Sequence, residues 1–270
     1  MKLNRKDWFR TFLIMVGGTI VNTYGLGWIH FEKLPLSTFW WVIIARTCSS
    51  ILSLVAIRIF CPNVFSRFGL GNRPKQLLIS LGVVLFLMGP SLVRTDYRGA
   101  GIAQFLESFV FALFIGIDED LFSRGFAFGA LERSGVWFAA ILSSIQFGLL
   151  HLGNIVWGGQ SAIYTIGQAI SAGAFGFLAA ALMVYSGSIW VPILMHGLCD
   201  LPMQFETAAQ HTKKVTGNGD WVSVIGDFII YSAVGWVLIV LSDSSKKERL
   251  MHLARKFGLL DETPTATSLN

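Results

Sequence analysis

The chain has 270 residues, of which 53% are hydrophobic and only 14% are charged, and its net charge is +5. Soluble domains carry about 25% charged residues, so this composition excludes an ordinary soluble globular protein. The basic residues lie at the ends of apolar runs and form no stripe with interleaved aromatic residues. This pattern favours membrane lipid over nucleic acid as a partner. The three cysteines show no paired spacing, which argues against a disulfide framework or a cysteine zinc site.

Long apolar segments are the main structural signal, because a membrane-spanning helix needs about 20 mostly apolar residues. They predict an all-α, polytopic membrane protein with about eight transmembrane helices. The first segment follows basic residues as a signal peptide does, but it has no A-x-A-type cleavage site, so we expect an uncleaved span. In chain order the segments are 9–30, 37–60, 77–93, 100–131, 136–153, 161–186, 188–206 and 222–242.

The predicted organisation is a single transmembrane domain, 1–245, with a catalytic core at about 100–205 and a cytoplasmic basic tail, 246–270. The termini and loops on one predicted side carry thirteen Lys and Arg residues, against five on the other side. The positive-inside rule therefore predicts that both termini lie in the cytoplasm. The compact chain, with no organellar address, favours the plasma (inner) membrane of a bacterium, or the endoplasmic reticulum membrane if the source is eukaryotic.

The stretch GIDEDLFSRGF, residues 116–126, places four ionisable side chains inside the fourth apolar span. An ionised side chain at mid-bilayer costs at least about 2.5–3.5 kcal/mol, so such residues are usually paired or functional. Residues four apart share a helix face, so Asp120 and Arg124 are expected to pair. Glu119 lies about 100° away around the helix, so it is not part of this pair and can point elsewhere. Asp118 is expected to face another side, either solvated or paired.

Two later spans contribute an imidazole each. The sequence FGLLH places Phe147 and His151 four residues apart, and HGLCD does the same for His196 and Asp200. At a rise of 1.5 Å per residue, Glu119 and His151 lie at similar depths. His196 matches them if the hairpin of the fourth and fifth spans projects further into the cytoplasm. We therefore predict one shared site.

A carboxylate and two imidazoles in a water-poor cavity suit hydrolysis. Glu119 can take a proton from water as general base, and an imidazole can steer that water or protonate a leaving amine. A further polar pair can stabilise the oxyanion of a tetrahedral intermediate. Glu119, His151 and His196 also form a two-histidine, one-glutamate set that suits zinc. The residues alone leave the metal-free and the zinc versions open.

The segments EDLFSRG, FGLLH and HGLCD resemble, in this order, the three motifs of the CPBP family of intramembrane proteases. These motifs are E-E-x-x-x-R, F-x-x-x-H and H-x-x-x-N or D. The family contains Rce1-like CAAX prenyl proteases and bacteriocin-processing (Abi) proteins, and eight spans also fit it. The resemblance implies an endopeptidase that cleaves a membrane-associated peptide or protein. Phe147 takes the aromatic position of the second motif.

The resemblance also implies individual roles. Glu119 would activate the attacking water with the help of His151, whereas His196 and Asp200 would line the oxyanion site. Arg124 would hold the second acidic residue of the first motif, which is Asp120 in this chain.

Two positions depart from the family pattern. Asp120 stands where the family has Glu, and Asp200 stands where Asn is common. An ionised Asp cannot donate a hydrogen bond to an oxyanion. Asp200 is therefore either protonated or serves to orient His196, unless a metal is present.

Arg46 lies in the middle of the second span and needs a partner. We expect Glu107 or Glu206 to serve, with recognition of a substrate carboxylate as the other interpretation. The small residues of the sixth span predict close helix packing.

The leading interpretation requires no cofactor, and its alternative uses a divalent metal such as zinc. The expected partners are membrane lipid and a membrane-associated peptide or protein, and no nucleic acid. Two other functions stay open, namely a non-catalytic bacteriocin immunity protein and a proton-coupled transporter. The sequence shows no internal symmetry, which argues against a transporter.

Overall fold

A computed structural model describes residues 38–71, 73–243 and Glu248. This part of the chain is helical apart from its connections and one antiparallel bridge between Leu70 and Ser188. The predicted all-α, polytopic class is confirmed. The predicted first span, 9–30, lies outside the described residues, and so does the predicted basic tail except for Glu248.

The helices follow the predicted spans closely. A π-helical turn, Leu121–Ala127, joins α4 to α5, and short 3₁₀ turns at Glu132–Ser134, His151–Gly153 and Leu201–Phe205 follow α5, α6 and α9. The helices are α1 (Thr38–Phe60), α2 (Val64–Phe68), α3 (Pro74–Arg94), α4 (Ile102–Asp120), α5 (Phe128–Leu131), α6 (Val136–Leu150), α7 (Asn154–Trp157), α8 (Ala162–Ser186), α9 (Trp190–Asp200), α10 (Ala208–Thr216) and α11 (Trp221–Ser242).

Five helical segments of the described part are long and apolar enough to cross a membrane. The predicted fourth and seventh spans are also helical, but α4 carries several acidic residues and α9 has only 11 residues. These two helices carry most of the ionisable groups discussed below. The five segments are Phe39–Phe60, Pro74–Arg94, Val136–Val156, Ala162–Ser186 and Trp221–Ser242.

The fourth predicted span differs from a regular α-helix, because its chain widens into the π-helical turn directly after Asp120. All seven residues of this turn are buried, so it is enclosed by protein on every side. Gly125 permits this enclosure, since a Cβ there would lie 2.5 Å from Cδ1 of Ile57 on α1. Single π-turns within α-helices often occur at functional sites.

Helix α8 occupies the centre of the bundle and packs against α6, α9 and α11. Small residues permit the close approach, as the sequence predicts. Gly148 of α6 faces the backbone of Ala169 and Gly173, where a Cβ would come 2.5 Å from the Ala169 carbonyl oxygen. Ala180 and Ala181 are fully buried on the same helix.

Two glycines bring α4 and α9 into close contact. A Cβ on Gly116 of α4 would lie 2.8 Å from the carbonyl oxygen of Ile193 and 3.2 Å from Cβ of His196. On the opposing helix, a Cβ on Gly197 would lie 3.2 Å from Cα of Leu113. The contact sits one turn from Glu119 and Asp120, and it therefore determines how closely these carboxylates approach α9.

The connections gather at two ends of the bundle, as successive spans require. At one end, which we call the Arg67 end, Arg67 Nη1 lies 2.6 Å from Oε1 of Glu132. The Ile189 amide donates to the Phe68 carbonyl there at 2.7 Å. Burial raises the pKa of the Glu132 carboxyl, and Arg67 opposes this rise. The loops that contain Arg67, Glu132 and Ser188 therefore share one end.

At the other end, the Tyr97 end, the ring of Tyr97 packs edge-on against Phe205 with centroids 4.8 Å apart. The Ser161 hydroxyl donates to the Gly217 carbonyl at 2.6 Å. Successive connections between the long helices thus alternate between the Arg67 end and the Tyr97 end, as the predicted spans require. The assignment of the Arg67 end to the cytoplasm stays a prediction.

The glycine contact predicts opposite effects for two Gly→Ala substitutions. Gly116→Ala should lower the thermal unfolding midpoint, because overpacking of this kind costs about 1–3 kcal/mol. Gly82→Ala on α3 should leave the midpoint unchanged or raise it, since a Cβ there meets nothing within 4 Å. Thermal unfolding of both variants in one detergent makes the comparison. A midpoint of Gly116→Ala at or above that of Gly82→Ala would contradict the contact.

Candidate active site

A cavity of about 450 Å³ lies in the half of the bundle nearer the Tyr97 end. All four predicted catalytic residues line it, namely Glu119, His151, His196 and Asp200. Arg46, Ser49, Asp118, Asn154, Gln168 and Gln204 supply its other polar side chains. A second cavity, of about 690 Å³, reaches the Arg67 end and is lined by no ionisable residue.

Asp120 links α4 to α9. Its Oδ1 lies 3.1 Å from Arg124 Nε, and both side chains are buried, so the pair expected from their spacing is present. Its Oδ2 lies 3.0 Å from Nδ1 of His196. A carboxylate paired with a guanidinium serves as an acceptor, so His196 carries a proton on Nδ1 and donates it. Its Nε2 is then the nitrogen available to the cavity.

Arg124 is held from a second direction by an aromatic ring. Its Cζ lies 4.2 Å from the ring centroid of Phe147, which is a cation–π contact. Its two terminal nitrogens have no hydrogen-bond partner among the described residues. Phe147 also packs edge-on against His196, with centroids 5.7 Å apart. The predicted supporting residues Asp120, Arg124 and Phe147 thus form one buried cluster behind His196.

Glu119 lies between an arginine and a histidine. Its Oε1 accepts a hydrogen bond from Arg46 Nη1 at 3.0 Å, and its Oε2 lies 3.7 Å from Nε2 of His196. The Glu119 side chain is 21% exposed, whereas that of Asp120 is fully buried. Of the two adjacent carboxylates, Glu119 is the one that reaches the cavity.

His151 stands where α6 ends and a 3₁₀ turn begins. Its Nδ1 lies 3.0 Å from the carbonyl oxygen of Phe147. A carbonyl can only accept, so the Nδ1 proton is donated to it and Nε2 is left with its lone pair. The ring packs edge-on against Phe147 at 5.1 Å. These two contacts determine the tautomer and the orientation of the ring.

Asp200 lies on the same face of α9 as His196, as their spacing predicts. Its Oδ2 is 3.7 Å from Nε2 of His196. The nitrogen that faces the cavity therefore has one carboxylate from α4 and one from α9 beside it.

The prediction that Glu107 or Glu206 pairs with Arg46 is wrong. Arg46 bonds to Asp118 at 2.9 Å and to Glu119, because α1 packs against the end of α4 and the following π-turn. Glu107 is exposed, and it precedes Asp118 by about 16 Å along the helix. Glu206 pairs instead with Lys214 at 2.9 Å. For Asp118, which is 3% exposed, the paired alternative holds and the solvated one is wrong.

The amide residues of the cavity were not predicted from the sequence. Asn154 Nδ2 donates to Gln168 Oε1 at 3.0 Å, which joins α7 to α8. Gln204, on the turn after α9, donates to the Asp200 carbonyl at 3.5 Å. One signal was available, since Gln168 is the one amide side chain in the long apolar helix α8. The same reasoning that singled out the acids would have found it.

Each of the three residues named as possible zinc ligands has another hydrogen-bond partner in the structure. Among the described residues, no group of three or more His, Cys, Asp or Glu side chains could hold a metal ion. One oxygen of Glu119 is taken by Arg46, and Nδ1 of His196 is taken by Asp120.

Residues 101–202 match the family described as Type II CAAX prenyl endopeptidase Rce1-like. This part of the chain is similar to Rce1-like proteases, in agreement with the resemblance to the CPBP family. The matched segment includes all three motifs and confirms the resemblance drawn from them. The match supports a membrane protease and intramembrane endopeptidase activity in general. No curated protein matches the chain. Arg46 lies on α1, outside the segment matched to the CPBP family.

The Asp120–Arg124 pair predicts a large stability effect. Arg124→Ala should reduce the amount of folded protein, because it leaves a buried carboxylate uncompensated at a cost of about 3–5 kcal/mol. The matched control is Arg98→Ala, whose pair with Asp96 is 95% and 74% exposed and contributes about 0–1 kcal/mol. Size-exclusion chromatography of detergent extracts measures the folded fraction. Adding Asp120→Asn to Arg124→Ala should recover part of the loss. A fully folded Arg124→Ala protein would contradict the pairing.

Proposed function

We propose that this chain is an intramembrane endopeptidase in which Glu119 activates water to attack a peptide bond. The observation that carries the proposal is the convergence of Glu119, His151 and His196 on one cavity. The Oε2 of Glu119 and the Nε2 of His196 lie 3.7 Å apart there. This separation leaves room for a reacting carbonyl group beside both atoms.

The first step forms the bond to water. A water molecule in the cavity gives a proton to Oε2 of Glu119, and its oxygen bonds to the carbonyl carbon of the substrate. The other hydrogen stays on the oxygen and donates a hydrogen bond to Nε2 of His151, which orients the attack. Positioned proton transfer of this kind contributes about 10²–10⁴-fold in rate.

The second step breaks the peptide bond. The oxyanion of the tetrahedral intermediate takes a hydrogen bond from His196 Nε2–H, which is present when the ring carries both protons. Asp120 and Asp200 supply the countercharge, so Asp200 acts on the ring and donates nothing to the oxyanion. The carbon–nitrogen bond then breaks, and the nitrogen takes the proton held by Glu119. The products are a new carboxyl terminus and a free amine.

The substrate class follows from the membrane setting and from the family. A peptide that reaches this cavity comes from a membrane-associated peptide or protein. The family description names CAAX prenyl endopeptidases. We therefore propose a peptide with a prenylated cysteine followed by three residues as the first substrate to assay. Detergent-solubilised protein is the suitable preparation, because both ends of the bundle are then accessible.

Glu119→Gln and His151→Ala should each lower cleavage by at least about 100-fold without lowering the folded amount. The control is Glu107→Gln, an exposed glutamate on the same helix, which should cleave as the wild type does. The assay uses an internally quenched farnesylated peptide with a three-residue C-terminal extension. Quantitative comparison of membrane peptides from cells with wild type or Glu119→Gln identifies the natural products.

Cleavage by Glu119→Gln at the wild-type rate would contradict this proposal. A wild type with neither cleavage nor Glu119-dependent products would instead favour an immunity protein. Loss of proton-coupled uptake in Glu119→Gln would favour a transporter.

Chelation should leave activity unchanged, because Glu119 can activate water without a metal. The measurement is the cleavage rate before and after incubation with EDTA, followed by addition of zinc. Activity that is lost with EDTA and restored by zinc would establish the zinc version, with Glu119, His151 and His196 as the ligands.

A further inference from the structure

A residue outside the matched family segment contacts the proposed catalytic carboxylate. Arg46, on α1, donates from Nη1 to Oε1 of Glu119 at 3.0 Å. The same nitrogen donates to Oδ2 of Asp118 at 2.9 Å. Helix α1 thus supplies a cation to two adjacent acids of α4.

Asp118 holds Arg46 from behind. Its side chain is 3% exposed, and Ser49 of α1 also hydrogen-bonds to it. The Arg46 side chain itself is 30% exposed and lines the cavity. The arginine therefore has one buried anchor and one partner at the cavity wall.

Within the described ranges, Arg46 supplies the guanidinium that contacts Glu119. Arg124 is fully buried and serves Asp120. His196 and His151 face the cavity, and Asp118, Asp120 and Asp200 are further acids. Without Arg46, Glu119 and the buried Asp118 would be adjacent carboxylates with no guanidinium beside them, which is costly within a membrane.

We propose that Arg46 is a positioning residue for the hydrolytic reaction, and this inference rests on the proposed function. By holding Oε1 of Glu119, it leaves Oε2 as the oxygen that faces His196 and receives the proton from water. The catalytic unit then extends beyond residues 101–202 and includes α1.

A second role for Arg46 would be to bind the C-terminal carboxylate of a substrate. In an extended peptide, three residues after the cleaved bond span about 10 Å. Arg46 is in direct contact with Glu119, so it lies next to the reacting bond and not at that distance. The geometry thus favours positioning over carboxylate recognition.

The test compares steady-state kinetics of Arg46→Met, Arg46→Lys and the wild type on the farnesylated quenched peptide. Arg46→Met should lower kcat by about 10–100-fold, because a misplaced catalytic group costs rate at the chemical step. KM should change by less than about threefold. Arg46→Lys should recover most of the loss, since a single nitrogen makes both contacts and an ammonium can replace it.

Arg58→Met is the matched control, because it removes an exposed arginine from the same helix. It should keep the wild-type kcat. Should Arg46→Met fail to fold, Asp118→Asn provides the second variant. It removes the anchor while retaining the shape of the side chain, and it should lower kcat at unchanged KM.

The outcomes separate the two proposals. A wild type that does not cleave, or a Glu119→Gln variant that cleaves as fast, contradicts the proposed function itself. Suppose that the wild type cleaves and that Glu119→Gln does not. A wild-type kcat in Arg46→Met or in Asp118→Asn then contradicts the positioning role of Arg46 and leaves the proposed function standing. A raised KM with unchanged kcat in Arg46→Met would instead assign Arg46 to substrate binding. A lysine variant as slow as the methionine variant would also overturn the positioning role.

Discussion

The structure depends on the partners of one buried carboxylate. Asp120 is fully buried within the bundle, where an ionised group is costly unless it is paired and hydrogen-bonded. It contacts Arg124 with one oxygen and His196 with the other. The first contact ties the π-turn to α4, and the second ties α4 to α9. Because the buried Asp120 must be paired, it also holds the imidazole of His196 in one orientation.

The reactive groups are arranged around this restraint. Because Asp120 takes Nδ1 of His196, Nε2 is presented to Glu119 and Asp200 at 3.7 Å. The glycine contact between α4 and α9 allows that approach, and α1 adds Arg46 on the far side of Glu119. Arg46 and His196 at the cavity wall are each held by a buried carboxylate, Asp118 and Asp120 respectively. This is the arrangement that a preorganised site requires.

The sequence predicted the parts of this arrangement that depend on spacing within one helix. The pairing of Asp120 with Arg124 and the shared face of His196 and Asp200 follow from separations of four residues. Similar depths along the helices then predicted that Glu119, His151 and His196 would share one site. The helical segments were found because apolar length is a strong signal.

Contacts between helices were not predictable in the same way. The partner of Arg46 depends on where α1 crosses α4, and no local pattern records that position. The π-turn was not predicted either, because the spacing of apolar residues does not distinguish a π-turn from an α-helix in a segment as apolar as this one. The bond between Asp120 and His196 was missed because each residue already had a partner four residues away along its own helix.

The most direct test of the central claim is the protonation of His196 in folded protein. Nitrogen-15 NMR of histidine-labelled protein in detergent reports the Nδ1 proton, and His196→Gln identifies its signal among the five histidines. We expect a slowly exchanging Nδ1 proton that is lost in Asp120→Ala. If that proton exchanges as fast as that of the half-exposed His211, or is unaffected by Asp120→Ala, Asp120 does not organise the site.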